Sequence, residues 1–89
     1  MDEGMIGEIR LFAGDWAPLK WLFCDGQQLA IEKYRGLYSV VGDQYGRSDN
    51  MFHLPKLAPL NETASGRDGD KLFKVRYVIC YEGNYPAPN

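Results

Sequence analysis

The residues able to do chemistry in this chain of 89 amino acids are few and dispersed: His53, the cysteines Cys24 and Cys80, the carboxylates Asp68 and Asp70 around Gly69, and the aromatics Trp16, Trp21 and Tyr45. A catalytic His53 needs a nucleophile and an orienting acid, and no triad or metal motif surrounds it in sequence. Two cysteines and one histidine fall short of a four-ligand structural zinc site. Asp68-Gly69-Asp70 lacks the remainder of a calcium loop, so a solvated turn is the favoured reading. The tripeptide Asn61-Glu62-Thr63 matches a glycosylation acceptor by chance. No enzyme and no cofactor are expected. Trp16, Trp21 and Tyr45 could stack on sugar faces, although in so small a core aromatic rings are more often spent on burial.

The elements that must position these residues begin with Met5 to Leu29. Ile9, Leu11 and Ala13 alternate with Glu8, Arg10 and Phe12, the pattern of a strand with one buried and one half-wet face. A bend follows from Gly14 to Lys20, where Pro18 fixes φ and pushes Ala17 extended. Asp25-Gly26 stands between the apolar run Trp21 to Cys24 and Gln27 to Leu29, which predicts a type I′ hairpin with Gly26 as the structural turn residue at positive φ. Three short strands are expected here.

Tyr34, Leu37, Tyr38 and Val41 recur at i, i+3, i+4 and i+7, which predicts a helix from about Glu32 to Val41, with Gly42 at C′ and Glu32 favouring the dipole. Gly36 within it suggests either close packing against the hairpin or simple tolerance. The run Asp43 to Asn50 reads as a surface loop carrying Tyr45 as a packed aromatic, and Met51 to Leu54, closed by Pro55, as an edge strand. Lys56 to Lys71 is the most polar and flexible stretch. Leu72 to Tyr81 is the longest strand candidate, with Val75, Tyr77 and Ile79 on one face and Arg76, Val78 and Cys80 on the other; apolar on both, it should be central. The prolines after Glu82 prevent regular pairing.

Composition bounds the answer. A chain of 89 residues is one domain, residues 1–89, and buries roughly 60 to 65% of its unfolded surface, so its core is thin. Hydrophobic residues make up 45%, enough for folding, while ten Gly and five Pro without period argue against a helical bundle. The net charge of -2 gives no footprint for nucleic acid. Met1-Asp2-Glu3 is acidic where a signal peptide is basic, and no apolar run is long enough for membrane insertion. Without a secretory signal, two buried thiols are favoured over a disulfide. The expected fold is α+β: a small, largely antiparallel sheet holding the N-terminal hairpin and the C-terminal strand, with one helix packed on a face and Trp21, Leu37, Val41 and Ile79 buried.

Four ordered segments, IGEIRLFAG, WLFCDGQQL, LYSVVGDQYG and MFHLP, resemble the phage tail collar domain of short tail fibres and of the microcystin-dependent proteins that share it. The same order of motifs appears there: a G-E-I strand, a C-D-G-Q turn, an L-F-x-x-x-G-x-x-Y-G helix exit and an F-x-L-P strand. YVICYEGNYPAPN is similar to the family's terminal strand and tail. The family usually continues D-L-R-G-R and a long Gly-rich insertion after F-x-L-P, whereas Lys56-Leu57-Ala58-Pro59 follows here and the insertion shrinks, leaving a minimal module. The resemblance implies a non-enzymatic structural or adhesive part of a phage virion or tail-like particle, made in the bacterial cytoplasm. Its partners would be further copies of itself, trimeric if it follows fibres, and tail, baseplate or fibre proteins. The alternative is a binding module for a cell-surface glycan, with Trp16, Asp25 and Tyr45 as candidate ligand or partner contacts.

Overall fold

The computed structural model describes residues 3–64 and 71–87, leaving aside the side chains of 61–64 and 71–73. In order the elements are β1 Ile9–Phe12, β2 Trp21–Phe23, β3 Gln28–Ala30, α1 Arg35–Val41, β4 Arg47–Ser48, β5 Met51–His53, β6 Leu60–Ala64 and β7 Lys71–Cys80. The class is α+β, with more strand than helix, but the strands form two antiparallel sheets rather than the single sheet expected. In the larger, β7 lies between β1 and β2, pairing Ile9 with Ile79 on one side and Leu22 with Ile79 on the other. Its first half, Lys71 to Val75, pairs with β6. The smaller sheet has the order β3-β5-β4. β7 is central, as its two apolar faces require.

The two-sheet arrangement overturns the hairpin reading of Asp25-Gly26. β2 pairs with β7, whereas β3 pairs with β5, so the dipeptide is a corner carrying the chain from one sheet to the other. Gly26 does have positive φ, 81°, but Asp25 does not, and a type I′ turn needs both. Instead Asp25 Oδ1 accepts the Gln27 N–H at 3.0 Å, an Asx turn, while Gly26 N–H donates to Pro55 O at 3.2 Å and Asp25 bridges to Lys56.

Four further expectations are corrected. Met51 to His53 is the centre of its sheet and no edge, because the supposed loop contains β4, turned back by Asp49-Asn50 with Asp49 at φ 54°. The polar stretch after Lys56 contains β6; Asp68, Gly69 and Asp70 lie outside the described residues. The helix starts at Arg35, since Lys33 and Tyr34 N–H both donate to Ala30 O in a preceding turn, so Glu32 precedes the helix and does not serve its dipole. Gly42 follows it at φ 58°, as expected. A Cβ on Gly36 would stand 3.5 Å from Ile6 Cδ1, an ordinary contact, so tolerance explains this glycine. On β1 it is Ile9 and Leu11 that are exposed, while Phe12 packs inward beside Trp21 and Val78.

The core has two parts. On one face of the larger sheet, Ile79 meets Leu37 and Val41 of the helix and Leu29, Phe52 and Leu54 from the smaller sheet and its exit. The ring of Tyr38 packs edge-on to Phe52 with centroids 5.2 Å apart. On the other face Trp21, Val78 and Cys80 form a second cluster. Trp21, Leu37, Val41 and Ile79 are all buried. Both cysteines are free thiols, one in each cluster.

The packing sets the expected outcome of three substitutions. Leu37 has no exposed surface, so Leu37→Ala should cost about 2–5 kcal/mol in urea titration through the cavity it leaves between helix and sheets. Gly26→Val should lower the urea midpoint or prevent folding, because a β-branched residue at φ 81° is strained and its Cβ would stand 3.2 Å from Lys56 Cβ. Asp25→Asn should leave the midpoint nearly unchanged, since the amide oxygen can accept the same Gln27 N–H.

Candidate functional site

His53 occupies the last position of β5, and its Nε2 lies 3.0 Å from Ser48 Oγ across the β4–β5 pair. Its Nδ1 faces Gly46, where an added Cβ would come within 2.9 Å. No carboxylate is among its hydrogen-bond partners in the described residues, so this serine and histidine lack the acid that would orient the ring. The contact ties two short strands. Among the described residues there is no cluster of three or more His, Cys, Asp or Glu side chains placed to hold a metal ion.

One feature with room for a partner is a groove of about 440 Å³ where the Asp25-Gly26 corner passes the root of β6; a wider hollow of about 590 Å³ lies over Ala30, Arg35 and Met51. Phe23, Cys24 and Tyr77 line its inner side, the exposed run Lys56-Leu57-Ala58-Pro59 forms its outer wall, and Asp25 stands at its edge. The wall is held in place where Leu57 N–H donates to Cys24 O at 2.9 Å. Below it, the Arg76 guanidinium lies 3.7 Å from the centre of the Phe23 ring and donates to Asp15 O at 2.9 Å, which anchors the β1–β2 loop.

The structure places the three candidate contact residues apart. Asp25 lines the groove; Trp16 and Tyr45 do not. Trp16 is 77% exposed in the β1–β2 loop, and Tyr45, 43% exposed after the helix, is less packed than expected of a loop aromatic. Sequence reasoning passed over Lys56, Leu57, Pro59 and Tyr77. For Leu57 and Pro59 the signal was an apolar tetrad, Leu57-Ala58-Pro59-Leu60, inside the stretch read as the most polar and flexible.

Cys24, in the groove wall, is held as the protonated thiol. Burial, with a smaller contribution from the Asp25 charge, pushes its thiol up to about 11. The folded chain therefore holds a proton that the unfolded chain gives up. Stability should be full below the ordinary thiol range, fall as pH rises through that range and level off past about 11. Urea midpoints taken between about pH 8 and about pH 11 should fall less steeply for Cys24→Ala than for the unaltered chain. Equal slopes would show that burial of this thiol does not couple to folding.

Among the described residues no helix is long and apolar enough to cross a membrane. Comparison with curated proteins and with solved structures finds no match. The family model of the phage tail collar domain matches residues 7–60, from the segment before β1 to the first residue of β6. This span is well over half the chain and takes in the corner, the helix and the whole smaller sheet. With the segments from GEIRLFAG to MFHLP inside it, the chain belongs to the phage tail collar domain family, a structural family of phage tail fibres.

Proposed function

We propose that this module is a non-enzymatic assembly part of a phage tail, tail fibre or tail-derived particle, and that it docks as a homo-oligomer, trimeric if it follows fibres. The observation that carries the reading is the shape. The radius of gyration is 15.1 Å and the long axis 49 Å, against about 12 Å for a compact domain of this length. β6 and the first half of β7 form an antiparallel ribbon with no third strand among the described residues. Two strands alone are marginal in water. Neighbouring copies, or tail, baseplate or fibre proteins, would supply the missing cover.

Light scattering at micromolar concentration should report a defined multiple of the chain mass. A strict monomer that also captures no partner from particle lysates would remove the reading. Trp16, with no place in either core cluster and 77% of its surface exposed, favours a second reading, a glycan-binding surface. Saturable binding on a glycan array, lost in Trp16→Ala or Tyr45→Ala with circular dichroism unchanged, would promote it over the first.

A further inference from the structure

Opposed residues on paired strands share a face, as do residues two apart on one strand. Ile9 and Leu11 on β1 stand opposite Ile79 and Tyr77, and Leu60 on β6 stands opposite Val75. Ile9, Leu11, Tyr77, Val75 and Leu60 therefore belong to the face of the larger sheet on which Ile79 packs against the helix. The helix and the smaller sheet cover the Ile79 end fully and reach Tyr77 only in part. Beyond it Ile9 is 37%, Leu11 45% and Leu60 42% exposed. From Ile9 to Leu60 these described positions form a continuous apolar strip without a charge, unlike the scattered single apolar residues of an ordinary surface. At Tyr77 the strip opens into the groove walled by Leu57.

We infer that a second copy of this chain packs on this strip, an inference that rests on the homo-oligomer reading and names its surface. Charge argues for a like partner. The groove lining carries one acid, Asp25, and two bases, Lys56 and Arg76; the Arg76 guanidinium is taken up by the Phe23 ring and Asp15 O, which leaves Asp25 and Lys56, adjacent and exposed, at the edge. Neither takes part in an ion pair among the described residues. A surface with one charge of each sign beside an uncharged apolar strip is complementary to itself: Asp25 of one copy can meet Lys56 of the next as the strips come together. A uniformly acidic or basic partner would be attracted by one of these charges and repelled by the other. Size permits the contact. The molecule measures 49 by 27 Å along its two longer axes, which leaves room on this side for the roughly 800 Å² per partner that a specific interface buries.

The test is sedimentation velocity on the full chain, with circular dichroism as the folding control. Leu11→Glu and Leu60→Glu each place a charge in the strip and should abolish the oligomer peak in favour of monomer. Leu19→Glu, at an exposed apolar position outside the strip, should leave it. Should a glutamate variant fail to fold, the thiol introduced by Leu11→Cys decides, being alkylated more slowly in the assembled protein than after dilution to monomer. An oligomer that survives both glutamate variants, or an introduced thiol equally reactive in both states, overturns the surface and leaves the strip to a different tail protein. An unaltered chain that is monomeric at every concentration removes the homo-oligomer reading itself, and the strip as a self-interface with it.

Discussion

Ile79 is paired on both sides, with Ile9 and with Leu22, and its side chain is wholly buried against the helix. Its neighbours Val78 and Cys80 point into the second cluster and are equally buried. These three consecutive residues are the only stretch where one strand has both edges bonded and both faces covered among the described residues. Here the larger sheet packs through the helix onto the smaller one. The corner at Asp25-Gly26 fixes the covalent link, but the helix supplies the filling, with Leu37 and Val41 reaching Ile79 on one side and Phe52 on the other. A thin core of this kind concentrates stability in few side chains, each making most of the available apolar contacts.

What was legible in the sequence is what depends on local pattern. The alternation in Leu72 to Tyr81 gave a central strand with the correct faces, because a strand buried on both sides must be apolar at both periods. The spacing of Tyr34, Leu37, Tyr38 and Val41 gave the helix face, and Gly26 and Gly42 declared their positive φ through the absence of a side chain. Partner choice was not legible. Nothing in WLFCDGQQL says that the two strands around Asp25 part company, since an Asp-Gly step serves a hairpin and a corner alike. The difference lies in Pro55 O and Lys56, some thirty positions away, which take up the corner's backbone bonds.

The site was less legible than the fold for a related reason. Trp16, Asp25 and Tyr45 were chosen for their chemistry one at a time, yet a binding surface depends on proximity. Only Asp25 lines the groove. The exposed side of β1 was misread because Ile9 and Leu11 are apolar and a monomer would bury them; Phe12 took the inward place, beside Trp21, since a ring fills the second cluster better than either. Ile9 and Leu11 share the face of Ile79 but stand outside the cluster around it, and so stay exposed on an edge strand.

The two ends of the described chain are stitched to each other. Ile6 N–H donates to Asn84 O at 2.8 Å and Asn84 N–H to Gly4 O at 2.9 Å, in a parallel bridge of Met5 with Asn84. Gly83 allows it, for a Cβ there would fall 2.2 Å from Gly4 O. Parallel geometry has a mechanical meaning. Tension that draws the first residues one way and the last residues the other slides the bridged segments past each other along their length, so both bonds bear the load together instead of opening in turn. Resistance of this kind is governed by the rate of unfolding rather than by its equilibrium. When the two ends are drawn apart, this seam is where the pull would first be felt.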